Sequence, residues 1–237
     1  MMKEQAALRG RLAAAHSVTV LTGAGISAES GLPTFRGTGG LWRDKRVEEL
    51  ASPAGFARDP RLVWTWYLER RLAHAAVEPS HAHRALAELE RSHPDFTLVT
   101  QNVDSLHIRA GSRNVLELHG ALRNLRCTGC SERRAFDDSF TIDDIAHACG
   151  GVLRPDIVWF GEGLDPATLD AAVAAARRAD VMLVVGTSGI VQPAASLATR
   201  RLTNAYIVEI NPDETPLTAH ADVSLRARAS DILPMLL

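Results

Sequence analysis

Long apolar runs are missing from this chain. Its longest, such as VMLVVG at 181–186, are far too short to cross a bilayer, and the charged start MMKEQAALRGR lacks the apolar core of a secretory signal. The expectation is a cytoplasmic protein with no membrane partner. Cysteine is scarce too: three residues, two of them within CTGC at 127–130, are an odd number for a disulfide framework and suit a reducing compartment. They point toward a metal instead. Nor does charge of one sign dominate, since 26 Lys and Arg stand against 28 Asp and Glu for a net charge of −2. That balance gives no electrostatic reason to expect nucleic acid as a partner. Internal repeats and low-complexity linkers are also absent, which argues against independent domains. The 237 residues that remain suffice for one good-sized domain, or a large domain carrying a small one.

What is present is alternation. Strand-like runs VTVLT (18–22), FTLVT (96–100), VMLVVG (181–186) and YIVEI (206–210) are separated by helical patterns. AHRALAELER (82–91), PATLDAAVAAARRA (166–179) and PAASLATRRL (193–202) are the clearest of these, rich in Ala, Leu and Arg. This predicts an α/β fold, a doubly wound, Rossmann-like parallel sheet with helices on both faces. Two stretches interrupt it: about 35–80, with Trp42, Trp64, Trp66 and Tyr67, and about 122–155, with all three cysteines. They are expected to form a smaller lobe, the second as a zinc-ribbon-like module, inserted into a core of about 1–34, 81–121 and 156–237.

The first strand runs into GAGISA at 23–28, a dinucleotide fingerprint with Ala28 in third position. Gly23 and Gly25 suit a tight turn and close approach of backbone to a pyrophosphate at a helix N-terminus. A glycine turn after a strand often only reverses the chain, but ESGLPTFRGTGGLW follows, then TQNVDSLH (100–107), LELHG (116–120), LRPDIVWFGE (153–162), GTS (186–188) and NPD (211–213). Together these motifs, in this order along nearly the whole chain, resemble the sirtuin family of NAD-dependent protein deacylases.

The resemblance implies that Gly23, Ala24, Gly25, Ala28, Phe35, Arg36, Trp42, Gln101, Val103, Gly186, Thr187, Ser188, Asn211, Pro212 and Asp213 form the NAD site, with Ala229 near the adenine end. It places Asn102 and Asp104 where the nicotinamide carboxamide is received; on their own they read as a turn residue and a helix N-cap. His119, one of nine histidines, becomes the base that takes a proton from a ribose hydroxyl. The implied reaction consumes NAD: the acyl-lysine carbonyl oxygen attacks the ribose, nicotinamide leaves, and free lysine and O-acyl-ADP-ribose result. Phe35 is implied to shield the reacting carbon from water. Val158, Trp159, Phe160, Gly161 and Glu162 resemble the strand that pairs with the acylated peptide, although alone they read as an ordinary buried strand.

In VWTWYLERR, helical spacing puts Tyr67 and Arg70 on one face, where a phenol and a guanidinium fork could converge on a carboxylate. They match the Tyr-x-x-Arg pair of the sirtuin class (class III, bacterial-type) that prefers succinyl, malonyl and glutaryl lysine, with weaker deacetylation. Gly55 falls where that class keeps a small residue. The partners implied are acylated lysines of proteins, and a monomer is expected. The family's structural zinc uses two cysteine pairs. Here Cys127 and Cys130 supply one, but only Cys149 of the second is present. His147 or Asp144 is a candidate fourth ligand, and a lobe that has lost zinc is the alternative. Rival activities are ADP-ribosyl transfer to protein and non-catalytic NAD or ADP-ribose binding; hydride transfer fits the sequence after the glycine loop least.

Overall fold

Strands that are apolar on both sides need cover on both sides, and that requirement organises the molecule. The computed structural model describes residues 2–34, 41–42 and 45–237. Its strands are β1 (Ser17–Thr22), β2 (Leu41–Trp42), β3 (Lys45–Arg46), β4 (Asp95–Thr100), β5 (Val115–Glu117), β6 (Gly120–Cys127), β7 (Arg133–Ala135), β8 (Leu153–Ile157), β9 (Val181–Val185), β10 (Tyr206–Ile210) and β11 (Val223–Leu225). β11-β10-β9-β1-β4-β5 make one sheet with every neighbouring pair parallel. This is the doubly wound order, in which the strand sequence reverses direction between β1 and β9.

Burial alternates with the pleat. Val18 and Val20 of β1 and Val181, Leu183 and Val185 of β9 pack with Leu8 and Leu12 of the helix Met2–Ala14 and Leu86 and Leu89 of the helix His81–Ser92. Leu21, Met182, Val184 and Ile207 face the other way, onto Ala172 and Ala176 of the helix Pro166–Arg178. That helix starts where Asp165 caps it, accepting from Thr168 N–H, with Pro166 in its first turn. Its alanine face lets it lie close enough for Thr19 to donate its hydroxyl to the Ala175 carbonyl at 3.0 Å.

The helix expected over 193–202 does not form. A 3₁₀ turn occupies Ala194–Ala198 and the chain becomes extended at Thr199. Ala194, Ala195, Leu197 and Ala198 are buried and Ser196 is exposed, so the short turn still sets an apolar face on the core. Arg200 then donates to the Ala205 carbonyl and pairs with Asp222, which holds the turn.

A second core lies around the antiparallel sheet β7-β6-β8. Trp64, Trp66 and Tyr67, from the helix Pro60–Ala75, pack there with Phe136, Phe140, Leu153 and Trp159. Trp64 meets Phe136 edge-on at 5.5 Å and donates its indole N–H to the Leu153 carbonyl at 2.8 Å, so even its polar atom is satisfied. No helix among the described residues is long and apolar enough to cross a membrane.

Candidate active site

A doubly wound sheet offers its binding crevice beyond the carboxyl ends of the strands, where the order reverses. Here that point lies between Thr22 of β1 and Val185 of β9. The loops leaving the two strands close on each other: Gly23 N–H donates to the Val185 carbonyl at 3.2 Å and Gly25 N–H to that of Gly186 at 2.7 Å. Gly23 is extended, with φ −131, so no unusual backbone angle demands it. Close approach does, because a Cβ on Gly23 would stand 2.8 Å from Thr187 Cβ and one on Gly25 2.7 Å from the Gly186 oxygen. Gly186 itself is left-handed, with φ +57. The helix that follows is short, Ala24–Ala28.

From the end of β4, Gln101 donates through Nε2 to Thr187 Oγ1 at 2.9 Å. Asn211 donates to the Thr187 carbonyl at 2.7 Å from the far side. Asn102 Nδ2 donates to the Gly23 carbonyl and to Ser27 Oγ, both at 3.0 Å, and Ser27 donates on to Asp104 Oδ2 at 2.7 Å. Asp104 Oδ1 accepts from Leu106 N–H at 2.9 Å, but the N-cap of the helix Leu106–Arg109 is Ser105, so Asp104 turns the chain into that helix without being its cap. Burial raises the Asp104 carboxyl above its usual range, opposed by those two hydrogen bonds. Ser27, the hub of this network, was not among the expected site residues; its place in GAGIS was the available signal.

His119 leaves β5 just before β6. Its Nδ1 lies 2.9 Å from the Gln101 carbonyl, an acceptor-only group, so Nδ1 carries the proton and Nε2 the lone pair. Burial pushes its pKa below the ordinary histidine value, with the Gln101 hydrogen bond acting in the opposite direction. The ring is neutral at pH 7.

These groups share one cleft of about 970 Å³. Its lining includes Gly23, Ala24, Gln101, Asn102, Val103, Asp104 and His119, together with Tyr67, Arg70 and all of residues 158–162. Burial pushes the Tyr67 phenol up to about 12, so it stays protonated. Arg70 places its guanidinium 4.9 Å from the Trp66 ring centre and 5.9 Å from that of Tyr67. Segment 158–162 is anchored at its start and its middle: Val158 N–H donates to the His119 carbonyl and Phe160 N–H to that of Ala51, both at 2.9 Å. Ile190, Val191 and Gln192, not foreseen, also border the cleft, and the Phe160 and Ile190 side chains are exposed.

Gly25, Ala28, Gly186, Thr187, Ser188, Asn211, Pro212 and Asp213 are not on the cleft wall; several of them form the loop–loop contacts behind it. Ala229 is buried and donates its N–H to Glu29 Oε1 at 3.0 Å. Phe35 and Arg36 lie outside the described residues, as does the side chain of Trp42.

In the small sheet, one donor atom each from Cys127, Cys130, His147 and Cys149 lies within 4.8 Å of the other three. Cys127 and Cys149 Sγ are 3.5 Å apart, His147 Nδ1 is 3.1 Å from Cys149 Sγ and 3.7 Å from Cys130 Sγ. Zinc with sulfur ligands at about 2.3 Å needs donors roughly 3.8 Å apart, so the set fits a closed Cys₃His zinc site. His147 and Cys149 both reach it because the chain turns between them, with Gly150 N–H donating to the His147 carbonyl at 2.9 Å. Asp144 is engaged elsewhere, accepting from the Thr141 N–H and hydroxyl.

A doubly wound sheet with polar groups converging at its switch point defines a nucleotide-binding α/β protein carrying a small inserted, cysteine-containing lobe. Comparison with known proteins makes this specific. The Sir2 family pattern matches residues 23–193. NAD-dependent protein deacylase 1 of Archaeoglobus fulgidus is 52% identical over 219 residues, 91% of this chain and 89% of that protein. The crystal structure of a Sir2 homolog–NAD complex is 50% identical with a TM-score of 0.90, over 98% of this chain and 91% of that one. A Sir2–p53 peptide–NAD+ structure, at 31% identity, gives 0.86 over 99% and 96%. The chain belongs to the Sir2 family.

Proposed function

We propose that this protein is an NAD-dependent protein-lysine deacylase that favours acidic acyl groups such as succinyl, malonyl and glutaryl over acetyl. The deacylase activity follows from family membership and from relatives named for that activity. The observation that carries the chemistry is the neutral His119, fixed by Gln101 in one cleft with Asn102 and Asp104. NAD supplies the ribose carbon that receives the acyl oxygen, and nicotinamide as leaving group. His119 Nε2 accepts a proton from the ribose hydroxyl that continues the transfer. Asn102 and Asp104, locked through Ser27, receive the carboxamide, and the 158–162 segment pairs with the peptide main chain.

The acyl preference rests on Tyr67 and Arg70 both lining this cleft. A succinyl carboxylate would pair with Arg70 and accept from the Tyr67 hydroxyl, whereas an acetyl methyl offers these donors no acceptor. This is the pattern of the sirtuin class with Tyr-x-x-Arg. The test compares succinyl and acetyl versions of one peptide, in native protein and Arg70→Met, by mass spectrometry. Desuccinylation should exceed deacetylation and fall about a hundredfold in the variant, with O-succinyl-ADP-ribose formed by the native chain. Acetyl preference indifferent to the substitution would sink the clamp, and transfer of labelled ADP-ribose to protein without lysine release would favour the transferase activity.

A further inference from the structure

Tyr67 does not present its hydroxyl to the cleft unassisted. Trp159 Nε1 donates to Tyr67 Oη at 2.7 Å in a buried contact. The indole is fixed from several sides. Its backbone N–H donates to Glu162 Oε2 at 2.8 Å, its ring lies 3.2 Å from the Arg154 guanidinium and 5.1 Å from the Phe56 ring. Arg154 is held in turn by both oxygens of Glu162, at 2.6 and 2.9 Å, and donates to the Ile157 carbonyl at 2.7 Å.

An indole N–H is a donor and nothing else, so the polarity of this contact is set. Tyr67 Oη has to accept, and its single hydrogen is left to be donated elsewhere. A phenol paired instead with a carbonyl or a carboxylate would spend that hydrogen on its partner and offer the cleft a lone pair. We propose that Trp159 is a positioning residue for acyl selectivity: by occupying the acceptor face of Tyr67 it makes that hydroxyl a donor into the acyl end of the cleft, beside the Arg70 cation. A wall of donors matches a carboxylate and matches a neutral or cationic acyl terminus poorly. The inference rests on the acidic-acyl reading and adds to it a residue that touches Tyr67 rather than the acyl group.

The experiment measures the ratio of succinyl to acetyl kcat/KM on one peptide for native protein, Trp159→Phe, Tyr67→Phe, the double variant and Arg70→Met. Trp159→Phe keeps an aromatic ring against Arg154 and Phe56 and removes the N–H donor together with one ring of the bicycle. The ratio should fall roughly tenfold in Trp159→Phe, comparably in Tyr67→Phe, and little further in the double variant, because both single changes remove one shared interaction. If Arg70→Met lowers the ratio but Trp159→Phe does not, the clamp stands and the positioning role is overturned. If no variant moves the ratio, the acidic-acyl reading fails and this inference with it. Should Trp159→Phe melt well below the native protein, benzothienylalanine at 159 repeats the test, since it keeps the bicyclic shape and replaces N–H by sulfur; an unchanged ratio there overturns the proposal.

Discussion

Histidine 119 owes its usefulness to two opposed influences. Burial favours its neutral form, while the Gln101 carbonyl, 2.9 Å from Nδ1, stabilises the protonated one. Burial is the larger, so the lone pair on Nε2 persists into mildly acidic solution. The base is therefore competent above its folded pKa and lost as pH falls through it, and the acid limb of kcat/KM should bend below the usual histidine value of about 6.5. A pH–rate profile with one acyl peptide checks this, and a limb bending above 7 would contradict it. His119→Ala should lower kcat by about 10² to 10⁴ while NAD binding by calorimetry persists. At this scale the sequence was legible where the family motif marked the residue: Gln101, Asn102, Asp104 and His119 do meet in one cleft. It was not legible where a contact joins distant segments. Nothing in the order of residues shows that Trp159 donates to Tyr67, 92 positions away, or that Ser27 ties Asn102 to Asp104.

The Cys127, Cys130, His147 and Cys149 cluster is an element whose sequence looked deficient and whose donor geometry closes. His147 was one of two candidate fourth ligands, two residues from Cys149, and the turn ending at Gly150, with φ +85, leaves its Nδ1 3.1 Å from Cys149 Sγ. His147 Nε2 lies 3.5 Å from Glu132 Oε2, so a carboxylate can hold the ring with Nδ1 toward the metal. The purified chain should contain one zinc per molecule. His147→Ala should lose it, His147→Cys should keep it, and Glu132→Gln should weaken it about tenfold, all read by metal analysis and competition with a chelator. Zinc retained undiminished by His147→Ala would remove the histidine from the ligand set. Amide exchange in β6 and β8 should rise where zinc is lost. Elements were readable from sequence in proportion to their unbroken apolar runs. β1, β4, β9 and β10 stood out because nearly all of their residues are buried. The three-residue β5 and β11, at the two edges of the large sheet, carry too short a pattern to register. The 193–202 segment misled because alanine-rich composition favours helix, a propensity that tertiary context overrides here, leaving a 3₁₀ turn over Ala194–Ala198 and an extended Thr199.

Across the whole molecule, three buried histidines link elements of different parts of the chain. His83, on the helix His81–Ser92, and His107, just beyond β4, sit with ring centres 4.7 Å apart. His107 Nε2 lies 3.0 Å from Thr22 Oγ1, which donates to Thr100 Oγ1 at 2.8 Å, directly beneath the strand ends that open into the cleft. His74, near the end of the helix Pro60–Ala75, lines the cleft itself. Burial pushes His83 down to about 4 and His107 well below its ordinary value, the latter also repelled by His83. Burial and then the Arg70 charge push His74 to about 3. All three are neutral in the folded protein and take up protons when unfolded below about pH 6.5. Their folded pKa values are depressed, so the stability they permit is fully present above 6.5 and is lost as pH falls toward 4. Near pH 5 unfolding should take up about three protons through them, a slope of about 4 kcal/mol per pH unit. Carboxylates held below their usual range, Asp180 and Glu209 among them, add to the loss only nearer and below about pH 4. Two windows should therefore separate. The melting temperature should be level from pH 8 to 6.5 and decline steeply before the depressed carboxylates titrate. His83→Gln should make that first decline shallower, because one of the three histidines that take up a proton only on unfolding is gone. A melting temperature flat between pH 6.5 and 5 would show that these rings become protonated inside the folded protein, and that the packing around Thr22 and Thr100 accommodates the charge.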